Sequence, residues 1–387
     1  MTIFIILSCV YTIIILLLFR GLLSLRLYKE PGTHSFSVVI AARNEENNIR
    51  ACLDSVLTQS IDSTRYEVIL VDDRSNDTTL AIAREYASQY SQLKVLHIAG
   101  VPQGVSPKKH AVSQGIAAAS NEIVVFTDAD CVVTPEWLQS IDSVFTGNTG
   151  LVQGITRYSY IDGLDKNFWG MQAVDFLSHG IVAASAIGAG IPVNSNANNF
   201  AFRKEAFRAV GGYDKAGRVV SGDDDLLLQR IWKSDKWKIR FMIEPRGAVS
   251  TLPTTTIKGV FEQRKRWGSK TVHYNGLQVA ILSGIFLFYL SIFAAAIGGF
   301  FNHTLFLYAA GMLVLKMGGE SVLMVPGTRI FKQQQLRRFI IPASLIQLPL
   351  VVCAVFSGVF GKFNWKEQSF SRTVKAARRE RNKSVLK

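Results

Sequence analysis

Residues 123–131 read IVVFTDADC, an uninterrupted apolar run that stops on two carboxylates one residue apart. A run of this length with no polar alternation fits a strand buried on both faces, as in a parallel sheet covered by helices. Three similar runs precede it: Phe36–Ala41, Tyr66–Val71 and Leu93–Ile98. Helical patterns separate them, from Asn44, which is placed to cap, through Thr58, from Asp77 to Tyr90, and from Lys108 onward. This βαβαβαβ rhythm implies an α/β fold with a mostly parallel sheet and helices on both faces. Such sheets bind ligands outside the carboxyl ends of their strands. The polar residues there are Arg43-Asn44-Glu45-Glu46, Asp72-Asp73 and Asp128-Ala129-Asp130. No G-x-G-x-x-G follows the first strand and no G-x-x-x-x-G-K-[ST] occurs, which argues against a dinucleotide enzyme and a P-loop NTPase.

Outside this region the chain turns apolar. Residues 1–19 carry no charge and are followed by Arg20, Arg26 and Lys29, the pattern of a signal anchor. No Lys, Arg, Asp or Glu occurs from Thr271 to Leu315, and breaks near Gly298-Gly299 and Asn302-His303 divide the region into spans at about 277–300 and 304–325. Lys316 and Glu320 fall in the second, four residues apart, where they can share a helix face and pair. A third uncharged stretch, Phe339–Gly361, contains Pro342 and Pro349 and reads as a kinked span or a re-entrant segment. Residues 180–193, GIVAASAIGAGIPV, are too short for a span and read as a buried or interfacial helix. The division is thus an anchor at 1–28, an α/β domain at 29–250, an interfacial helix at 251–276, membrane segments at 277–365 and a basic tail at 366–387.

The formal net charge of +14 leaves nucleic acid, acidic ligands and membranes open until the charges are located. Residues 366–387 hold eight basic and two acidic residues, Arg329, Lys332, Arg337 and Arg338 cluster in one loop, and 258–270 holds five basic residues and Glu262. Together these three segments account for the whole excess, and each flanks an apolar stretch. That placement fits cytoplasmic basic residues against anionic lipid, not nucleic acid. Parity conflicts with it. With residues 29–275 cytoplasmic, three further full crossings would put the basic tail outside. The charge pattern favours a cytoplasmic tail, with 339–361 re-entrant or another segment failing to cross. The four cysteines are scattered, without zinc-ligand spacing.

Eight segments, in order, resemble a membrane-bound family 2 glycosyltransferase of the GT-A nucleotide-sugar-binding fold, akin to cellulose synthases and ceramide glucosyltransferases: VVIAARNEE (38–46), VILVDDRSNDTT (68–79), PKKHAVSQGI (107–116), FTDADC (126–131), NANNFAFRKEAF (196–207), GGYD (211–214), SGDDDLLLQRI (221–231) and QRKRW (263–267). The resemblance implies an anchor, a cytoplasmic catalytic domain and about three C-terminal membrane segments. It makes Asp130 a ligand of Mg2+ or Mn2+, with Asp128 on the metal or the nucleotide ribose. A hard cation held by carboxylates neutralises a diphosphate. On the residues alone, Asp128 could instead cap the turn before Thr134-Pro135. Asp73 matches the acid that meets the nucleobase, with Ala41 and Glu45 beside it; a carboxylate suits the imide N–H of uracil, so the implied donor is a UDP-sugar. Lys108 matches a lysine at the base or diphosphate.

Asp223 and Asp224 match the family's acidic pair, with Asp224 as the general base of an inverting transfer, although Asp225 leaves the register open by one residue. Gln263, Arg266 and Trp267, at i, i+3 and i+4, match the QxxRW motif, in which Arg266 clamps the diphosphate and Trp267 packs at the acceptor entrance. Lys265 and Arg264 would then face lipid. Asn194–Asn199 resembles an acceptor-side segment. The expected partners are a nucleotide-sugar donor, a lipid or lipid-linked saccharide acceptor and membrane lipids, with a bacterial inner membrane the simplest location; oligomeric state is not encoded in these motifs. A processive polysaccharide synthase shares every motif. The non-enzyme alternative is an idle GT-A domain serving as a membrane assembly partner.

Overall fold

The computed structural model describes residues 1–30, 32–102, 105–213, 223–269, 276–360, 362–365 and 368–371. Most of the basic tail and the 214–222 part of the GGYD and SGDDD motifs lie outside the described residues. The chain forms two compact units, one of residues 15–253 with 320–340, the other of residues 1–14, 254–319 and 341–387.

In the first unit, β1 (Phe36–Ala42), β2 (Tyr66–Asp72), β3 (Leu93–His97) and β4 (Ile123–Asp128) coincide with the four apolar runs and pair in parallel in the order β3-β2-β1-β4. The helices between them are α2 (Ile49–Leu57), α3 (Thr79–Gln89) and α4 (Pro107–Ala118). Beyond β4 come β5 (Val132–Val133), α5 (Trp137–Val144), β6 (Thr149–Gly154), β7 (Thr156–Tyr158), α6 (Lys166–Gly188), β8 (Phe200–Arg203), α7 (Lys204–Ala209), α8 (Asp223–Lys233), β9 (Lys238–Met242) and β10 (Val249–Thr251). Strand β8 joins β4 antiparallel, and β6 and β9 follow, giving a seven-stranded mixed sheet, while β5, β10 and β7 form a second sheet of three strands. The strand pattern is mechanical in origin. Val38 and Ile40 point to one core with Val56, Val125 and Trp137, and Val39 points to the other with Ile69, Val112 and Phe202. Each fully buried aliphatic side chain of this kind contributes about 2 kcal/mol of transfer free energy, which is why alternation is absent.

Residues 180–188 do form a buried helix, and α6 extends that reading toward the N-terminus. It starts fourteen residues earlier, where Asp165 accepts from the Phe168 N–H at 2.7 Å, and ends with Ala189 as C-cap followed by Gly190 at φ 77°. Its small residues meet α1 (Thr2–Ser24): a Cβ on Gly21 or Gly188 would strike the other helix's backbone, and Ser24 Oγ donates to Gly188 O at 2.7 Å. The same helix meets Gly327, whose missing Cβ leaves room for Ile181.

The second unit holds α9 (Ile257–Ser269), α10 (Gly276–Gly298), the first part of α11 (Thr304–Ile330), α12 (Ile340–Phe360) and the hairpin β11 (Lys362–Trp365) and β12 (Gln368–Ser371). With α1, four helices among the described residues are long and apolar enough to cross a membrane, one near the N-terminus and three in the C-terminal third. Lys316 is fully buried, and its Nζ donates to Ser344 O at 2.8 Å, Ser344 Oγ at 3.0 Å and Gln347 Oε1 at 3.4 Å.

Candidate active site

The ladder sets the site. In β1–β4 pairing Ala41 lies opposite Asp128, and in β1–β2 pairing Ala42 lies opposite Asp72, so three strands release their chains at one edge. The loops after β1 and β2 then tie to each other. Asn44 takes φ 53° and accepts from the Asn76 N–H at 2.9 Å, while Glu46 Oε2 accepts from Thr78 N at 3.1 Å and Thr78 Oγ1 at 2.8 Å. Asn44 therefore bridges loops and does not cap α2, whose N-cap position is Asn48. The Asp73 N–H donates to Ala42 O at 2.8 Å, which fixes the backbone beneath its carboxylate. Arg74 Nε donates to that carboxylate at 2.9 Å, and Arg43 stands 4.0 Å away. Neither arginine receives a role from the motif reading. Their signal was position, each standing just past the carboxyl end of a strand.

Asp128 ends β4 and accepts from Lys108 Nζ at 2.8 Å. This displaces the capping alternative, since α5 has Glu136 at its N-cap and no side-chain cap bond. Asp130, two residues on, has its carboxyl pushed up to about 6, first by burial and then by the negative charges of Asp128 and Glu45. Asp128, Asp130 and Cys131 bring their ligand atoms within 4.8 Å of one another. Burial drives the Cys131 thiol well above its ordinary value, so it stays protonated. The donor set that remains is two carboxylates, crowded by a third, whose mutual repulsion a divalent cation would relieve. That chemistry fits Mg2+ or Mn2+ better than a thiophilic metal.

A narrow cleft at the strand ends is lined by Ala41, Lys108, Thr127, Asp128, Ala197, Tyr213 and Asp224, among others. The structure thus brings the DxD aspartate, the motif lysine and one acid of the acidic pair to one cavity. Asp224 and Asp225 part company in α8. Asp225 is fully buried and accepts from Ser195 N at 2.6 Å and Ser195 Oγ at 3.3 Å, whereas Asp224 faces the cleft. Asp223 begins α8, and its side chain is outside the described residues.

The asparagine cluster divides too. Asn199 is buried; its Oδ1 accepts from Trp137 Nε1 at 3.0 Å and its Nδ2 donates to Ile155 O at 2.8 Å and Gly247 O at 2.9 Å. Asn198 Oδ1 accepts from Thr156 Oγ1 at 2.8 Å. These two belong to the scaffold joining the sheets.

Gln263, Arg266 and Trp267 lie on α9, in the other compact unit. Arg264 is buried with its guanidinium 4.1 Å from the Trp267 ring centroid, which corrects its expected lipid-facing placement. Lys265 pairs with Glu262 at 2.9 Å.

A family model, glycosyl transferase family 2, matches residues 37–211, the segment that builds these strand ends. That segment of the chain is therefore similar to glycosyl transferase family 2. The chain is 28% identical over 237 residues (60% of this chain, 47% of the relative) to a beta-monoglucosyldiacylglycerol synthase of Trichormus variabilis. It is 28% identical over 236 residues (60% and 53%) to a poly-beta-1,6-N-acetyl-D-glucosamine synthase of Staphylococcus epidermidis. It therefore spans about half the length of these curated relatives. A mannosyltransferase of Pyrobaculum calidifontis, solved with GDP-Man and Mn2+, superposes with a TM-score of 0.59 at 17% identity, covering 92% of this chain and 98% of that one. The family 2-like domain thus has the GT-A type of fold, with a mixed α/β core and a mostly parallel sheet.

Proposed function

We propose that this protein is a membrane-bound, inverting, metal-dependent glycosyltransferase that moves a sugar from a nucleotide sugar to a lipid or lipid-linked saccharide. The observation that carries the reading is the cleft itself, where Asp128, Lys108 and Asp224 converge at the carboxyl ends of the strands of a family 2-like domain. Asp130 and Asp128 would hold the divalent ion, which when bound supplies positive charge to the diphosphate. Lys108, paired with Asp128, adds a second cation there. Asp73 orients the nucleobase, its charge balanced by Arg74 and Arg43, and the UDP reading rests on this carboxylate as partner of an imide N–H.

Asp224 is the base. It takes the proton from the acceptor hydroxyl as that oxygen bonds to the anomeric carbon and the diphosphate departs. Asp225 is its positioning neighbour, committed to Ser195. Gln263, Arg266 and Trp267 enter the proposal through the motif alone, and Arg266→Ala is expected to abolish turnover. The protein is placed in a membrane with the family 2-like domain cytoplasmic, on the strength of the charge distribution.

The test is transfer by purified protein from UDP-sugars to membrane lipid extract. Asp224→Asn should lower turnover by roughly 10²–10⁴-fold while leaving donor binding within a small factor. Unchanged turnover would overturn the assignment of the base. A second reading, a processive polysaccharide synthase, is favoured by the similarity to the Staphylococcus epidermidis synthase. A ladder of products in the same assay would select it.

A further inference from the structure

Four full crossings would place the basic tail on the face opposite the start of α10, against the tendency of basic segments to stay inside. Contacts among the membrane helices decide which of them departs. Helices α10 and α11 form an antiparallel hairpin: a Cβ on Gly298 would lie 2.7 Å from Leu305, Ser291 Oγ stands 3.8 Å from Met312 Sδ, and Lys316 Nζ is 4.8 Å from the Tyr289 ring centroid. Helix α1 runs parallel to α11. Phe4 meets Tyr308 with ring centroids 6.0 Å apart, and the Tyr11 hydroxyl donates to Lys316 O at 3.4 Å. These pairings keep a constant offset along all three helices, so the three share one depth range.

Helix α12 does not. Its approach starts beside the last turns of α11, where Arg337 donates to Val325 O and Thr328 Oγ1, each at 3.0 Å. Ser344 and Gln347 then reach the level of Lys316, and the Tyr289 hydroxyl is 3.4 Å from Gln347 Oε1. A helix continuing outward would carry Phe356 about 14 Å past Tyr289, to the level of Gly298. Instead the Phe356 ring lies 5.7 Å from Phe286, in the opposite direction along α10. A Cβ on Gly268 of α9 would be 3.6 Å from Ala354 O, and β11 packs on α9 as well. Pro349 stands inside α12, which runs unbroken from Ile340 to Phe360, so these contacts make it a helix that slants across α10 instead of following it outward.

We infer that α12 is a re-entrant membrane segment: it enters and leaves on the face from which α10 starts, with exposed Ile341, Leu345, Ile346 and Phe356 set against the acyl chains of that leaflet. Lys316 pins its deepest point, and the acceptors of Ser344 and Gln347 keep a buried ammonium satisfied where water is absent. The chain then crosses three times. By chain connectivity alone, that topology assigns the basic segments 258–270, 329–338 and 366–387, which hold the whole charge excess, to the face from which α10 starts, where anionic lipid favours them. This topology is independent of the sugar and the acceptor.

The experiment uses the full chain with Cys9→Ser and Cys353→Ser, since Cys52 and Cys131 are buried. One accessible cysteine is added at a time: Ser88→Cys on the family 2-like domain, Asn302→Cys between α10 and α11, or a cysteine in a short tag after Lys387. Sealed vesicles of both orientations are treated with a membrane-impermeant maleimide. The tag cysteine should label from the same face as Ser88→Cys, and Asn302→Cys from the other. Labelling of the tag together with Asn302→Cys would overturn the re-entrant assignment.

Discussion

Asp130→Asn should make the metal-free protein more stable while removing its response to metal. The Asp130 carboxyl rises from 3.8 to about 6 because burial and the charges of Asp128 and Glu45 oppose its ionisation. Since the folded state holds this proton more tightly than the unfolded chain, stability falls as pH climbs from about 4 to about 6 and the penalty is constant above. A rise of that size corresponds to about 3 kcal/mol at pH 8, an upper figure because local relaxation and water entry reduce it. For a domain of this size 1 kcal/mol moves the midpoint by about 2–4 °C, so the variant should melt several degrees above wild type in EDTA at pH 8. At pH 4 the two should coincide. Added Mn2+ should raise the wild-type midpoint and leave the variant where it was. The assay is thermal unfolding in detergent, with and without Mn2+, across that pH range. A variant no more stable than wild type at pH 8, or a gap indifferent to pH, would refute the reasoning that crowded carboxylates await a cation.

Two further outcomes follow from the same geometry. Cys131→Ala should leave metal affinity, followed by Mn2+ titration, essentially unchanged, because a buried thiol held protonated offers a hard cation nothing. Asn199→Ala should cost at least about 3 kcal/mol in denaturant unfolding, since it strands the Trp137 indole N–H and the carbonyls of Ile155 and Gly247 together.

Much of this protein is legible before any coordinate. The four parallel strands fall where the apolar runs fall, because a strand covered on both faces has no reason to alternate, and Asp128 ends its strand as the run itself ends. What stayed hidden depends on long-range partners. Strands β5 and β7 have two and three residues, too few to show a period. Helix α6 mixes Gln172 and Asp175 into its apolar surface, and both are buried, so only its small-residue half stood out. Asn44 carries the chemistry of a helix cap, yet a neighbouring loop thirty-two residues away claims its side chain. The division of labour between Asp224 and Asp225 required knowing that Ser195 lies behind one of them.

The crossing of α1 with α6 bears on how the catalytic portion can be handled outside a bilayer. Gly21 and Ser24 fit the backbone of α6 so closely that the first helix completes the surface of the very unit that holds the sheet. Removing residues 1–24 to obtain a detergent-free enzyme would uncover a strip of Ser185, Gly188 and their neighbours shaped for another helix, and would leave the Gly188 carbonyl without its serine donor. Material trimmed in this way would be expected to self-associate through that strip. Soluble preparations would do better to retain the first helix and replace its exposed apolar residues, such as Ile13, Leu16 and Leu17, with polar ones.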